Sequence, residues 1–340
     1  GYDLADELSS GSNYADSRLY LAYIDKQEFL TSALDLRLGR QFITTTAGAS
    51  VMDGLRLDYA FGETYGLTLF GGGDVAYYEG YSAKDVVTGA EITGRFADSL
   101  DVGLSYVTKL DSGHVSHQLI GFDVEYDYRG TLFVYSETQY DYLSDRVSYF
   151  LAGSKYYLSP RWSARLEYLY SLPVFSATSI YSVFAVDEYE EVMGELNYSI
   201  GNGWRSFARL TKELYVDYEN SNVVEIGVEK IRTARFSGYL TGVYRDGATD
   251  NKLKGVKAYL GCLWLAKLQT GIGADVDVLE RRLNYFDDQS DTDDTTSKRF
   301  WVDATWFISN TMNLQAKVER IESDLWDYYN RGRVRLNITF

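Results

Sequence analysis

Apolar and polar residues alternate along almost the whole chain. In the last segment Val334, Leu336, Ile338 and Phe340 share one face, and Arg333, Arg335, Asn337 and Thr339 the other. The same period of two runs through Leu100–Leu110 and Met312–Glu319, whereas helical spacing never persists for more than about two turns. Period two is the signature of strands with one apolar face. Strands of a soluble sandwich run about 5–6 residues. Here the segments run about 10–12, the length a tilted strand needs to cross a bilayer.

The connections have a rhythm of their own. Tight ones are expected at Gly62–Thr64, Asp98–Ser99, Arg129–Gly130, Ser159–Arg161, Gly201–Gly203, Thr233–Ala234, Ala266–Lys267 and Ser309–Asn310. Between them fall longer polar ones: Thr44–Ser50, Glu79–Asp85, Asp111–Ser116, Pro173–Asp187, Tyr218–Ser221, Asp246–Asn251, Asn284–Ser297 and Ser323–Tyr329. Short periplasmic turns alternating with longer extracellular loops are the plan of an outer-membrane barrel. Counting back from Phe340 gives about 18 strands, ending at Ala33–Phe42; Ser17–Ile24 and Gly1–Leu8 bring the total to about 20, and an even number is the rule. The pattern therefore predicts an all-β, transmembrane, antiparallel up-and-down β-barrel of about 20 strands, with 18 as the alternative, formed by 1–340 as a single domain. A soluble propeller or sandwich pair fits less well, because the strands are too long and no second apolar layer covers the apolar face.

The outward set includes Leu34, Leu36, Leu38, Leu55, Leu57, Tyr59, Leu132, Val134, Ala164, Leu166, Tyr168, Val224, Ile226, Val228, Val302, Ala304 and Trp306. Aromatics crowd toward strand ends, as at Tyr126, Tyr128, Tyr156, Tyr157, Trp162 and Trp204. Rings at headgroup level form interfacial girdles, which accounts for 31 Tyr in 340 residues. The inward set, expected to line the lumen, includes Arg37, Arg56, Asp58, Arg95, Glu137, Arg165, Glu167, Arg205, Arg209, Glu225, Glu229, Lys257, Asp275, Asp277, Lys317, Arg333 and Arg335. Lys109 and Arg245 share that face with Asp35, Glu91, Asp101, Asp123, Glu125, Asp127, Glu191, Glu195, Glu213, Asp303 and Glu319, so acids outnumber bases on it and an open lumen should mildly prefer cations.

Composition then removes whole classes of chemistry. A net charge of −16 argues against nucleic acid. One Cys, Cys262 on the apolar face, excludes a disulfide framework, and two His with no C-x-x-C-H exclude a haem attached by this chain or a three-histidine metal site. No enzyme, cofactor or metal is expected. His114 and His117 fall in or beside one expected loop without a Gly-x-Ser-x-Gly nucleophile motif. Asp287, Asp288, Asp291, Asp293 and Asp294 lack the central Gly and closing Glu of a calcium loop. Gly71–Gly73 follows a strand and permits bending or close approach rather than cradling phosphate.

The alternating end closed by Phe340 resembles the C-terminal signature of Gram-negative outer-membrane proteins, which the barrel-assembly machinery reads. Leu36-Arg-Leu-Gly-Arg-Gln41 followed by Asp53-Gly-Leu-Arg-Leu-Asp58 resembles a strand pair of large bacterial porins. In size and composition the chain also resembles the porin component of porin–cytochrome electron conduits. These resemblances imply a bacterial outer-membrane location, lipid as surroundings, and a mature chain exported before insertion, as no signal peptide precedes Gly1.

Two functions follow. The first is a porin-type barrel forming a wide polar channel for hydrophilic solutes. No spare domain forms a plug, and Pro173–Asp187, with Phe175, Ile180, Tyr181 and Phe184, is the one connection long and apolar enough to fold in as a constriction or to dock a partner. The second is an insulating sheath around a multihaem c-type cytochrome in the lumen, any redox chemistry then belonging to the guest. A structural or adhesive surface barrel ranks last.

Overall fold

The computed structural model describes residues 21–75, 83–172, 188–216, 220–247, 251–264, 267–282, 292–323 and 326–338, and every regular element among them is a β-strand. Nineteen strands follow one another in chain order. Gly1–Leu8, where the sequence places a first strand, lies outside the described residues, as do Phe175, Ile180, Tyr181, Phe184 and Phe340. The described strands already exceed the alternative of 18.

The strands fall into two compact units. Unit 1 contains β1 (Ala22–Lys26), β2 (Leu34–Thr45), β3 (Gly48–Phe61), β4 (Tyr65–Asp74), β5 (Val86–Phe96), β6 (Leu100–Asp111), β7 (His114–Tyr128) and β8 (Leu132–Asp141), with β9 (Arg146–Tyr157) up to Ser154 and the far half of β10 (Trp162–Ser171). Unit 2 contains the remainder of those two, nearly all of β11 (Tyr189–Gly201), and β12 (Trp204–Tyr215), β13 (Ser221–Lys230), β14 (Phe236–Gly247), β15 (Asn251–Trp264), β16 (Leu268–Arg282), β17 (Thr292–Phe307), β18 (Met312–Ser323) and β19 (Trp326–Ile338). Each unit is an antiparallel meander in which consecutive strands pair, β2 with β3 from Leu34↔Tyr59 to Thr45↔Gly48 and β12 with β13 from Trp204↔Lys230 to Glu213↔Ser221.

Tight hairpins of two or three residues set the registers. Ala97–Asp98, Ser112–Gly113 and Arg129–Gly130 all have positive φ at both positions, the geometry whose twist matches the flanking strands. Several connections are tighter than the polar runs suggest. Only Thr46–Ala47 separates β2 from β3, and only Ser112–Gly113 separates β6 from β7. Between β18 and β19 lie just positions 324–325. The polar residues around them continue the strand alternation, so polarity there marks strand ends beyond the apolar band rather than loops. His114 and His117 are accordingly strand residues of β7, Asp293 and Asp294 belong to β17, and Gly71–Gly73 lies inside β4.

One face of the strands carries aliphatic and aromatic side chains that nothing among the described residues covers: Ile226 is 63% exposed and Val334 73%. An apolar surface on this scale is stable only against lipid or a partner. The opposite face carries most of the charges. Within unit 1 that polar face also holds a small apolar core of Ile43, Ala47, Met52, Phe70, Val87, Val107 and Leu119.

Candidate functional site

The core of unit 1 exists because the β2–β3 hairpin bends onto the polar face. Its tip lands on β6, β7 and β8. The Ala47 amide donates to Ser105 Oγ at 2.8 Å, and Thr46 Oγ1 donates to Asp123 Oδ1 at 2.5 Å. Gln139 Nε2 donates to the Ala47 carbonyl at 2.8 Å and to that of Thr46 at 3.3 Å. Below the tip lies Gly121, where a Cβ would overlap the Ala47 amide nitrogen and stand 2.5 Å from Ser105 Oγ. Ala47 is fully buried. At the hairpin's base Gln41 donates to the Gly54 carbonyl at 3.1 Å, so the bend is anchored at both ends.

In unit 1 the polar face is a mesh of ion pairs within and between strands. Arg37 meets Asp25 at 2.7 Å, Arg56 meets Asp58 at 2.8 Å, and Arg95 meets Asp101 at 2.7 Å. Asp58 also accepts from Thr68 Oγ1 at 2.7 Å. Glu137 lies opposite Asp123 in the β7–β8 register, and Tyr135 donates to Glu167. Arg165 shares its face with Glu167, two positions along β10.

In unit 2 the same face carries Arg205–Glu229 at 2.7 Å and Arg209 between Glu195 at 2.6 Å and Glu225 at 2.8 Å. Lys257 lies opposite Asp275, with Asp277 two residues along. Glu319, only 7% exposed, gathers Arg299 at 2.6 Å, Lys317 at 3.1 Å and Arg331 at 4.0 Å. Arg333 and Arg335 sit opposite Lys317 and Gln315. Among the described residues no carboxylate lies within 4 Å of either guanidinium. Each of these side chains is held by strand parity, so the alternation of β12–β19 puts them in one plane of chemistry without any loop.

Two elements of this surface carry no obvious sequence signal. One is the docked tip, whose partners lie 58 to 93 residues away. The other is a set of aromatic rings on the polar face. Tyr239 and Tyr259 have centroids 5.9 Å apart with planes at 24°, and Tyr259 and Trp301 are 6.4 Å apart at 13°. These rings are additional to the aromatics expected at strand ends, since Tyr135, Tyr239, Tyr259 and Trp301 share faces with Glu125, Glu229, Lys257 and Glu319 in the strand registers. Glycines opposite the rings were the available clue. Among the described residues no group of three or more potential metal ligands clusters.

No family model matches the sequence, and no curated protein matches it. Solved structures do. The Pseudomonas aeruginosa porin OccK3 (OpdO) superposes with a TM-score of 0.56 at 11% identity, over 90% of this chain and 94% of that one. OccK9 (OpdG) of the same species gives 0.56 at 10%, over 89% and 95%. Acinetobacter baumannii OccAB3 gives 0.54 at 9%, over 86% and 92%. At such identities the likeness is one of fold. The polypeptide has the fold of Gram-negative outer-membrane porins, an antiparallel up-and-down transmembrane β-barrel.

Proposed function

We propose that the chain is a porin-type channel for hydrophilic solutes, narrowed in unit 1 by the docked tip of the β2–β3 hairpin. In a barrel of this fold the apolar face meets lipid and the polar face lines the lumen. The residues from Arg37 to Arg335 named above are then wall residues, mostly neutralised in pairs, and the channel's surplus of acids favours cations. One observation carries the reading. A surface of charged groups half open to water, with a short segment fixed across part of it by hydrogen bonds, suits the passage of water and small polar molecules. The narrowing comes from Thr46–Ala47, a different segment from Pro173–Asp187, which lies outside the described residues.

The test is conductance of the purified full-length chain in planar lipid bilayers. Stable unitary steps with a cation-biased reversal potential support the channel. A purified chain that gives no steps, and retains haem absorbance through detergent extraction, overturns it in favour of the cytochrome sheath.

A further inference from the structure

The apolar face of unit 2 has a dent in it. Ile226, Gly242, Val256 and Val276 stand opposite one another across four strands, and Val224, Tyr244, Lys254 and Val278 form the next row. Gly242 brings no side chain to that surface, and a Cβ placed there would meet nothing within 4 Å. Between its larger neighbours opens a groove of about 480 Å³, lined by both rows. Its rim carries positive charge. Lys254 is part of the lining, and Lys298 stands opposite Val276 on the same face of β17. The strands of the two lysines lie two spacings apart, about 10 Å. Glu322, opposite Lys298, is engaged by Arg320 at 2.6 Å, and Arg320 also lies over the Tyr328 ring at 4.4 Å. Further toward the strand ends Lys252 faces Asp246. Both lysines of the rim lie toward the end at which positions 283–291 connect β16 to β17, and the longer connections of such a barrel face outside.

We propose that this groove seats one molecule of lipid A, the bisphosphorylated glycolipid that anchors lipopolysaccharide in the outer leaflet; the inference rests on the membrane setting that the fold implies and does not need conductance. A groove alone would retain nothing, because the surrounding medium is as apolar as the acyl chain that fills it. Charge supplies the retention. Lys254 and Lys298 give charge-assisted hydrogen bonds to phosphate oxygens, their stems lying along the apolar face while the ammonium groups reach headgroup level. One acyl chain runs from that level into the gap over Gly242, between Ile226 and Val256. Tyr244, opposite Lys254 in the register, offers its ring to the sugar. The two phosphates stand at opposite ends of a disaccharide and suit two cations held on separate strands. A glycerophospholipid brings one phosphodiester for both cations, and a second copy of this chain brings none.

The experiment is native mass spectrometry of the detergent-purified, delipidated full chain, titrated with hexa-acylated lipid A, the same lipid stripped of both phosphates, and phosphatidylglycerol. Lipid A is expected to bind at least about tenfold more tightly than either comparator. The double variant Lys254→Ala, Lys298→Ala should weaken it by at least about tenfold, and the double Lys→Arg variant, which guards against misfolding, should retain most of the binding that the alanines lose. Gly242→Leu fills the groove and should weaken lipid A by at least about threefold, with heat-modifiable mobility unchanged because the added side chain enters open space. Absent lipid A binding, equal binding of phosphatidylglycerol or of the dephosphorylated lipid, or unchanged affinity in the lysine or the glycine variant overturns the site. A dimer of the parent chain that Gly242→Leu abolishes also overturns it, by giving the groove to a second copy. Conductance without lipid A binding sinks this inference alone. Lipid A binding without conductance sinks the channel and leaves the site standing.

Discussion

Replacing Gly121 by alanine should release the β2–β3 tip. The docked state rests on the hydrogen bonds from Ala47 to Ser105, Thr46 to Asp123, and Gln139 to the two tip carbonyls. Neutral bonds contribute about 0.5–1.5 kcal/mol each and one to a charged group about 1.5–3 kcal/mol, so the set is centred near about 5 kcal/mol. Ordering the two tip residues costs about 1–2 kcal/mol apiece, or about 3 kcal/mol together, leaving a net of about 2 kcal/mol. At that margin the tip is docked more than about 95% of the time. A Cβ on Gly121 would penetrate the Ala47 amide and crowd Ser105 Oγ at 2.5 Å. Gly121 and Ser105 are held in β7 and β6, so the tip is the part that yields, and the steric cost exceeds the margin. Single-channel recording should show a larger unitary conductance and more open-channel noise in Gly121→Ala, and more again in Gly121→Val. Heat-modifiable electrophoretic mobility should stay unchanged, since no strand pairing is lost. Conductance and noise equal to the parent in both variants would refute the claim that this hairpin narrows the lumen.

Other expectations follow from the two faces and the turns. Ile226→Arg should cost about 2–4 kcal/mol in vesicle-reconstituted protein unfolded by urea, whereas the neighbouring Glu225→Gln should cost less than about 1 kcal/mol because Arg209 keeps Glu195. Glu319→Gln removes the acceptor shared by Arg299, Lys317 and Arg331. It should move the reversal potential toward anions and lower stability by about 1–3 kcal/mol. Gly113, at φ 84 in its hairpin, should resist substitution: Gly113→Val is expected to cost about 1–3 kcal/mol in the same urea assay while leaving conductance unchanged.

Much of the fold was legible because period-two alternation is local. Each strand announces its own faces, and residues such as Leu166 and Ile226 or Arg209 and Glu225 are assigned by parity alone. Hairpin positions such as Arg129–Gly130 were legible through turn chemistry. What escaped was everything set by distant contacts. Thr44–Ser50 reads as a polar loop because Thr, Ala, Gly and Ser are small and weakly patterned, yet smallness is what lets the tip seat on Gly121 beside Ser105. Only the pairing of small residues across 74 positions would have shown it, and a single sequence carries no such coupling. Trp301 and Tyr259 escaped for another reason. Aromatic residues suit both headgroup girdles and a polar wall, and only their parity with Asp303 and Lys257, with Gly271 and Gly273 opposite, separates the two uses.

The assignment of lipid to one face and water to the other is tested most directly by spin labels placed singly at positions 223 to 228 of β13 in vesicle-reconstituted protein. The account predicts alternation. Labels at 224, 226 and 228 should relax with oxygen dissolved in lipid, and those at 223, 225 and 227 with a polar nickel reagent. Six labels that all respond to the polar reagent, with no period of two, would contradict it.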